Sequence, residues 1–242
     1  MSNFGALTDH FGILEIEGMS DILELVDSSK VPRAESRADA MDENNDIADS
    51  DYYGNGAGEI FEVSCKYAVK AGTLDLSDIV IGEIEAAVVA SGLEVTTANI
   101  AWPQITVSGL LGTETMIAPT GFTNQFTLPA ISVVGMKQAQ PLGFTVSAGR
   151  LTGSSLSVSL EVAEQADGLG EPVAHGISGG TGEVSAEFVR ITDAPAMALA
   201  DPLTTSKWNA AIVQPPGATE PQAGHHTASA SINFTVTRDA SA

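Results

Sequence analysis

Apolar and polar residues alternate most clearly between Gly153 and Ile191. In the first arm of this stretch, every second residue is apolar and the residues between them are serine or glutamate. A period of two is typical of a strand that buries one face. A second alternating arm, EVSAEFVRI, follows a glycine-rich connection, so the pattern predicts a β-hairpin. The first arm's apolar positions are Leu156, Val158, Leu160 and Val162, and its polar positions are Ser155, Ser157, Ser159 and Glu161.

The same alternation predicts further strands before and after this hairpin. EIFEVSCKYAVK, WPQITVSG, PLGFTVSAG and ASINFTVT each place apolar residues on one parity. Residues 81–92, IGEIEAAVVASG, could form a helix by composition. We favour strands there because Val88 and Val89 are β-branched, and because WPQITVSG follows as an antiparallel partner. Pro103 marks the start or the edge of a strand, where a missing N–H is tolerated.

The remaining segments are expected to be arms and loops. Residues 1–29 form an N-terminal arm in which ILELV fits a short helix or a strand, and residues 30–58 form a long acidic loop. Residues 59–242 form a β-sandwich domain with extended loops at 164–182 and 193–224. The predicted fold class is therefore mainly β, an antiparallel β-sandwich or barrel-like domain with one short helix and long loops.

Composition sharpens the expected core and surface. Hydrophobic residues are 43% of the chain but aromatic residues only 5%, so the core must consist mostly of Val, Ile, Leu and Ala. Charged residues are 17%, below the roughly 25% of an average domain. Much of the surface is then Ser, Thr, Gly and Ala, which lose little on desolvation and suit broad contacts between subunits.

The charge is strongly acidic. The chain has 10 Lys and Arg against 31 Asp and Glu, a net charge of −21. Such a field repels the phosphate backbone and anionic lipid, which argues against sequence-specific nucleic-acid binding and against a membrane-surface role. Solubility alone, or adaptation to high salt, would also explain the charge.

Cysteine usage and the N-terminal sequence indicate the compartment. The single cysteine, Cys65, occupies the apolar parity of its strand and is expected to be a small buried hydrophobe. One cysteine forms no intrachain disulfide. The N-terminal residues have no basic segment followed by an apolar stretch, and no apolar run reaches the roughly 18 residues of a membrane span. We expect a protein made and assembled in cytosol.

One motif is compatible with nucleophilic catalysis. GISGG at 176–180 matches the G-x-S-x-G pattern around Ser178, and His175 precedes it. A nucleophile elbow needs a strand before the serine and a helix after it. Here the following residues lead into a strand, so a turn is the preferred interpretation, and no enzymatic activity is expected.

One segment has the spacing that opens a calcium loop. Asp42, Asn44 and Asp46 match the first ligand positions of an EF-hand, but Ile47 stands where the loop needs glycine, and Tyr53 where it needs glutamate. A solvated acidic loop is preferred over a calcium site shared with a neighbouring subunit.

The histidines show no metal-binding spacing either. His225 and His226 are adjacent, so on a strand they would point to opposite faces. Cys65, His10 and His175 are far apart in the sequence, and no zinc spacing results. No catalytic residue, metal or cofactor is therefore predicted.

Two segments taken together resemble a known family. GRLTGSSLSVSLEVAEQADGLGEPVAHGISGGTGEVSAEFV and VTTANIAWPQITVSG resemble tailed-phage virion proteins, most closely the tail tube class. The resemblance covers about residues 60–192 and the last strand, and lies in serine- and threonine-lined strands, one long loop and a glycine-rich return. The family has a β-sandwich-like core with a flanking helix, and its subunits close into hexameric rings that stack into a tube. The segments 30–58 and 193–224 depart from that pattern.

The resemblance implies a structural subunit that associates with itself and with other virion proteins. DNA would pass through the tube without specific binding, no membrane would be involved, and the protein would be located in the virion after assembly in the host cytoplasm. Exposed strand edges and a lumen that repels phosphate fit this role. A capsid decoration or neck protein, or an acidic cell-surface lattice protein, is the alternative.

Overall fold

The computed structural model is built almost entirely of antiparallel strands. It describes residues 21–34, 36–53, 60–81, 84–85, 88–112, 126–128, 131–135, 138–146, 149–166, 168, 172–189, 197–199, 208–212, 217–218 and 227–238. The strands in chain order are β1 (Leu23–Pro32), β2 (Ser36–Met41), β3 (Ile47–Tyr53), β4 (Phe61–Val69), β5 (Thr73–Asp75), β6 (Val80–Ile81), β7 (Ile84–Glu85), β8 (Val88–Ala98), β9 (Gln104–Leu111), β10 (Phe126–Thr127), β11 (Ser132–Val134), β12 (Phe144–Val146), β13 (Arg150–Ala166), β14 (Pro172–Val189), β15 (Met197–Leu199), β16 (Trp208–Ile212), β17 (Gly217–Ala218) and β18 (Thr227–Arg238).

One large antiparallel sheet organises the molecule. Its strand order is β1-β4-β9-β8-β13-β14-β18-β16, with β7 paired to β8 and β17 paired to β18. Strands β13 and β14 form the predicted hairpin, and β8 and β9 form the predicted antiparallel pair. Pro103 directly precedes β9, as its missing N–H predicted.

The inner face of this sheet is a set of apolar rows that run across the strands. The strand register aligns six buried residues in one row across the sheet. Each lies opposite the next, and each is at most 5% exposed. This single row joins six strands by direct side-chain contact between neighbours. Its members are Tyr67, Ile105, Val95, Leu156, Val184 and Ile232.

The next row contains a close approach between an aromatic ring and the backbone. Gly182 on β14 lies opposite Phe234 on β18. A Cβ atom on Gly182 would stand 2.2 Å from Cζ of Phe234, so the ring occupies the space that a side chain would fill. Gly182 is therefore required by packing at this position.

Short strand pairs cover the inner face and complete the sandwich-like core. They are β5 with β11, β6 with β10, and β12 with β15, together with a 3-10 turn at Leu76–Asp78. Their buried side chains belong to the same hydrophobic cluster as the sheet: Leu74, Leu76, Ile79, Ile81, Leu128, Val133, Leu142 and Phe144. The mainly β, sandwich-like prediction is confirmed.

A buried polar network fixes the covering layer to the sheet. The hydroxyl oxygens of Thr97 and Ser154 lie 2.7 Å apart, and the carbonyl of Gln140 accepts hydrogen bonds from both groups. The Gln140 backbone N–H donates to Thr97 Oγ1 at 2.9 Å. Each buried hydroxyl therefore has a hydrogen-bonding partner in this network.

Three segments have a structure that differs from the sequence-based prediction. ILELV, which fitted a helix or a strand, contributes to strand β1, and the only helical turn among the described residues is Leu76–Asp78. The acidic loop predicted at 30–58 contains the hairpin β2–β3. The loop predicted at 164–182 is mostly strand, because β13 continues to Ala166 and β14 begins at Pro172. Both segments carry few apolar residues at alternating positions, so the pattern on which strand predictions depend is weak there.

The loop predicted at 193–224 also contains short strands: β15, β16 and β17 lie within it. Several residues named from the sequence lie outside the described part of the chain. They are His10, Ile191, His225 and His226.

Candidate assembly surfaces

The outer face of the large sheet is lined by small hydroxyl side chains. One row across it contains Ser64, Ser108, Gly92, Ser159, Thr181 and Thr235, each opposite the next. In a neighbouring row, the hydroxyl groups of Ser155 and Ser185 are 2.7 Å apart. Short side chains on a paired sheet produce a shallow surface that another molecule can approach closely.

Carboxylates dominate the charge of this outer face. Glu94 and Glu183 lie on either side of Ser157 in one row. Across strands β4, β8, β9, β13, β14 and β18, the outer parity carries five glutamates against Lys66 and Arg150. The glutamates are Glu62, Glu94, Glu161, Glu183 and Glu187. The surface therefore attracts cations and repels phosphate.

Strand β1 forms one edge of the sheet. It pairs with β4 on one side, and no described strand pairs with its other side. Every residue from Glu24 to Pro32 is exposed. An open edge of this length presents backbone donors and acceptors to a further strand. Lys30 lies 4.3 Å from the ring centroid of Phe61, a cation–π contact that orders its stem beside the edge.

Two arms project from the same end of the sheet. Strand β8 pairs with β13 only over Gly153–Ser159, and β18 pairs with β14 only over Gly179–Val189. Beyond these ranges, among the described strands, β13 and β14 pair only with each other, as far as Ala166 and Pro172. The hairpin β2–β3 is the second arm.

An ion pair joins the two arms. Arg33, at the base of the hairpin β2–β3, donates from its guanidinium to the carboxylate of Glu164 on β13. The Arg33 backbone N–H also donates to the carbonyl of Ile60 at 2.9 Å. The side chains of Arg33 and Glu164 are about one quarter exposed, 28% and 24%. The pair fixes the start of the hairpin to the neighbouring arm.

Asp42 uses its carboxylate to close the turn between β2 and β3. Its Oδ1 accepts backbone hydrogen bonds from Asn44 at 2.8 Å and from Asp46 at 2.9 Å. The N–H groups of Asp46 and Asn44 hold the pKa of Asp42 below its ordinary value, because they stabilise the ionised form. Asn45 adopts a φ of 65°, which asparagine tolerates. The motif that suggested calcium ligation thus forms a turn through Asp42.

The turn between β8 and β9 presents an apolar patch that the sequence analysis missed. Ile100 is 89% exposed and Trp102 is 45% exposed, and Val134 of β11 is 47% exposed. Trp102 and Val134 are neighbours, because the ring of Trp102 lies against Gly135. We call Ile100, Trp102 and Val134 the turn patch. The available signal was an isoleucine and a tryptophan in NIAWP, between two strands.

A shallow concavity of about 350 Å³ lies on the outer face near β1. Its polar lining includes Ser29, Ser64, Ser91 and Ser108, and Val31 contributes an apolar side chain. It occurs where β8 bulges between Ala90 and Gly92. The outer face is therefore not flat close to the open edge at β1.

Ser178 does not stand on a nucleophile elbow. It lies within strand β14, exposed, with its Oγ 3.5 Å from both the carbonyl and Oε2 of Glu161 on the paired strand. The preferred interpretation, a turn, is also wrong, because GISGG is continuous strand. His175 lies three residues before Ser178 on the same strand.

The remaining candidate groups are distributed without forming a site. Cys65 is buried at 1% exposure in the predicted parity. Within the described ranges, no three His, Cys, Asp or Glu residues are grouped so that they could hold a metal ion. In the same part of the chain, no helix has the length and apolar character needed to cross a bilayer.

No protein-family model matches this chain, and no curated protein matches it.

Proposed function

We propose that this chain is a structural subunit of a tailed-phage virion, a tail tube protein whose copies close into rings and stack into a conduit for DNA. The observation that carries the proposal is the large sheet with an open edge at β1 and a hydroxyl-lined, acidic outer face. Among the described residues, no strand pairs with the free side of β1. Association of identical copies would use both this edge and the outer face.

The open edge supports lateral association. A ring of identical contacts leaves no sheet edge exposed, because each copy covers the edge of the next. The ten residues of β1 are long enough to offer a substantial set of backbone hydrogen bonds to a neighbour.

The acidic outer face supports the role of a lumen. DNA must slide through a conduit, and cationic walls would hold its phosphates by releasing counterions. A wall of serine and threonine with Glu94 and Glu183 repels the phosphate backbone of DNA. The proposal therefore assigns this face to the inside of the tube.

Electron microscopy of the purified chain tests the assembly. We expect rings and tubes in negative stain, and large species by sedimentation velocity, at high protein concentration. A chain that remains monomeric at high concentration, with no ring or filament, contradicts the proposal. Binding to preformed capsids without self-polymerisation would instead indicate a decoration or neck protein.

A charge reversal tests the lumen assignment. Glu94→Lys with Glu183→Lys should leave the fold intact and make assembled tubes retain DNA at low salt, with release as salt rises. The matched control, Glu94→Gln with Glu183→Gln, removes the same carboxylates without adding cations, and should retain much less DNA. Equal retention by wild type and the Lys variant would place this face outside the conduit.

A further inference from the structure

We infer that two copies join head to tail, with the turn patch of one copy seated on the tip of the hairpin β2–β3 of the next. The inference rests on the proposed self-assembly and names its contact along the stack. The hairpin tip is the segment from Met41 to Ile47. The occupant of each surface is therefore a second copy of this chain.

The two surfaces lie at opposite ends of the sheet. The turn patch adjoins the last residue of β4, because the Val69 N–H donates to the carbonyl of Pro103 at 2.9 Å. The hairpin begins beside the first residue of β4, where Pro32 pairs with Phe61. A strand of nine residues at about 3.3 Å each spans roughly 27 Å between them. One copy can therefore engage a neighbour at each end.

The turn patch is held exposed by its own backbone. Ile100 has a φ of 62°, a conformation that β-branched residues rarely adopt. Asn99 fixes this turn through two hydrogen bonds. Its backbone N–H donates to the carbonyl of Thr152 at 3.0 Å, and its side-chain oxygen accepts from the N–H of Ala139 at 3.0 Å. The turn thus holds an isoleucine in solvent beside Trp102.

The hairpin tip offers an apolar pair of matching character. Met41 and Ile47 lie opposite each other across the two strands, and they are 55% and 52% exposed. The Asp42 turn fixes the strands that carry them. This pair is small enough to lie against Ile100 and Trp102.

Charge decides which surfaces can meet. The hairpin Ser36–Tyr53 carries six carboxylates and one guanidinium, Arg37. Lys70 follows the last residue of β4 and Arg150 begins β13, at the turn-patch end of the sheet. Asp21, Glu24 and Glu187 lie at the same end, so this end is much less acidic than the hairpin. Two hairpin tips would repel each other, whereas a tip and a turn patch bring carboxylates to cations. The favoured contact is heterologous, and repeating it produces an open, polar stack.

Two matched variants test the contact. Ile100→Asn changes the turn patch, and asparagine accepts the positive φ, so the fold should be unaffected. Met41→Ser with Ile47→Thr changes the hairpin tip. Each variant alone should weaken stacking by about tenfold or more, because it removes the burial of apolar side chains. Ser178→Asn, exposed and outside both surfaces, is the control and should stack like wild type. Circular dichroism and melting temperature confirm that each variant is folded.

Mixing the two variants distinguishes head-to-tail contact from every symmetric alternative. Each partner retains one intact surface, so the mixture should form species of twice the mass of either variant alone, and no larger, by light scattering. No doubling on mixing overturns the inference. Unchanged stacking by both variants also overturns it, while the proposed function stands. A wild-type chain that does not self-associate overturns both.

Discussion

The β13–β14 ribbon has two halves that differ only in their surroundings. Over Gly153–Ser159, strand β8 flanks the ribbon, and Leu156 and Val158 are buried. Over 163–166, the ribbon has no third strand beside it among the described residues, and its side chains are exposed. Pairing extends through both halves, with bulges after Glu161 and Gln165, so hydrogen bonds set the length of the ribbon. Packing sets where it is stable, and we expect the arm to open more easily than the sheet.

The largest expected effect on stability comes from a substitution that disturbs side-chain burial. Leu160→Asp places a carboxylate at a site that is 5% exposed, at the end of the packed half. The desolvation cost of several kcal/mol approaches the total stability of about 5–15 kcal/mol for a domain, so the variant should not fold. Ser159→Asp, one residue away on the exposed face, should fold. Far-UV circular dichroism and urea titration check both, and a folded Leu160→Asp protein would refute the contrast.

A pair of glycine substitutions on one strand sharpens the comparison. Gly182→Ala in the packed half must displace the ring of Phe234 and should destabilise the protein by about 1–3 kcal/mol. Gly176→Ala in the arm meets no atom within 4 Å and should change stability by less than about 1 kcal/mol. Urea denaturation midpoints measure both. Equal losses would mean that the arm is packed as tightly as the sheet.

The ion pair between the arms should contribute less. A double-mutant cycle with Arg33→Ala and Glu164→Ala should give a coupling of about 0.2–1 kcal/mol, because both side chains are partly exposed. The coupling should decrease as salt is added. A value well above this range would indicate that the two arms form one rigid unit.

The smallest effect is confined to the hairpin turn. Because folding lowers the pKa of Asp42, its stabilising contribution is complete above the ordinary aspartate pKa, and it is lost as pH falls through the lowered value. The amide resonances of Asn44 and Asp46 should therefore shift together in acid, while global stability follows other groups. Asp42→Asn keeps a capping acceptor and should abolish this shift. A shift that persists in the variant would assign the titration to another carboxyl group.

Alternation of apolar and polar residues reveals strands that bury one face. It therefore predicts packed strands and misses exposed ones. It identified β4, β9, the packed half of β13–β14 and β18, because each of these buries every second residue. It missed β2–β3 and the arm of β14, where EPVAHGISGG has no regular apolar parity although Ile177 is buried. The interpretation of Ser178 failed for the same reason.

The candidate surfaces were less predictable than the fold. The hydroxyl parity of β13 was visible in the sequence, but the rows that join it to Ser64 and Thr235 depend on strand order. The turn patch depends on the φ of Ile100 and on Val134 lying near Trp102, and local sequence contains neither fact. The ion pair of Arg33 joins residues 131 positions apart.

The burial of Cys65 makes it a chemical reporter of subunit opening. The chain contains one cysteine, and its thiol lies on β4 between β1 and β9, 1% exposed. A thiol-specific reagent can reach it only when those strands separate, so the labelling rate counts opening events for each molecule. A copy whose edge strand is covered by a neighbour should open less often. The labelling rate of Cys65 then measures how long a subunit remains assembled, without an engineered probe.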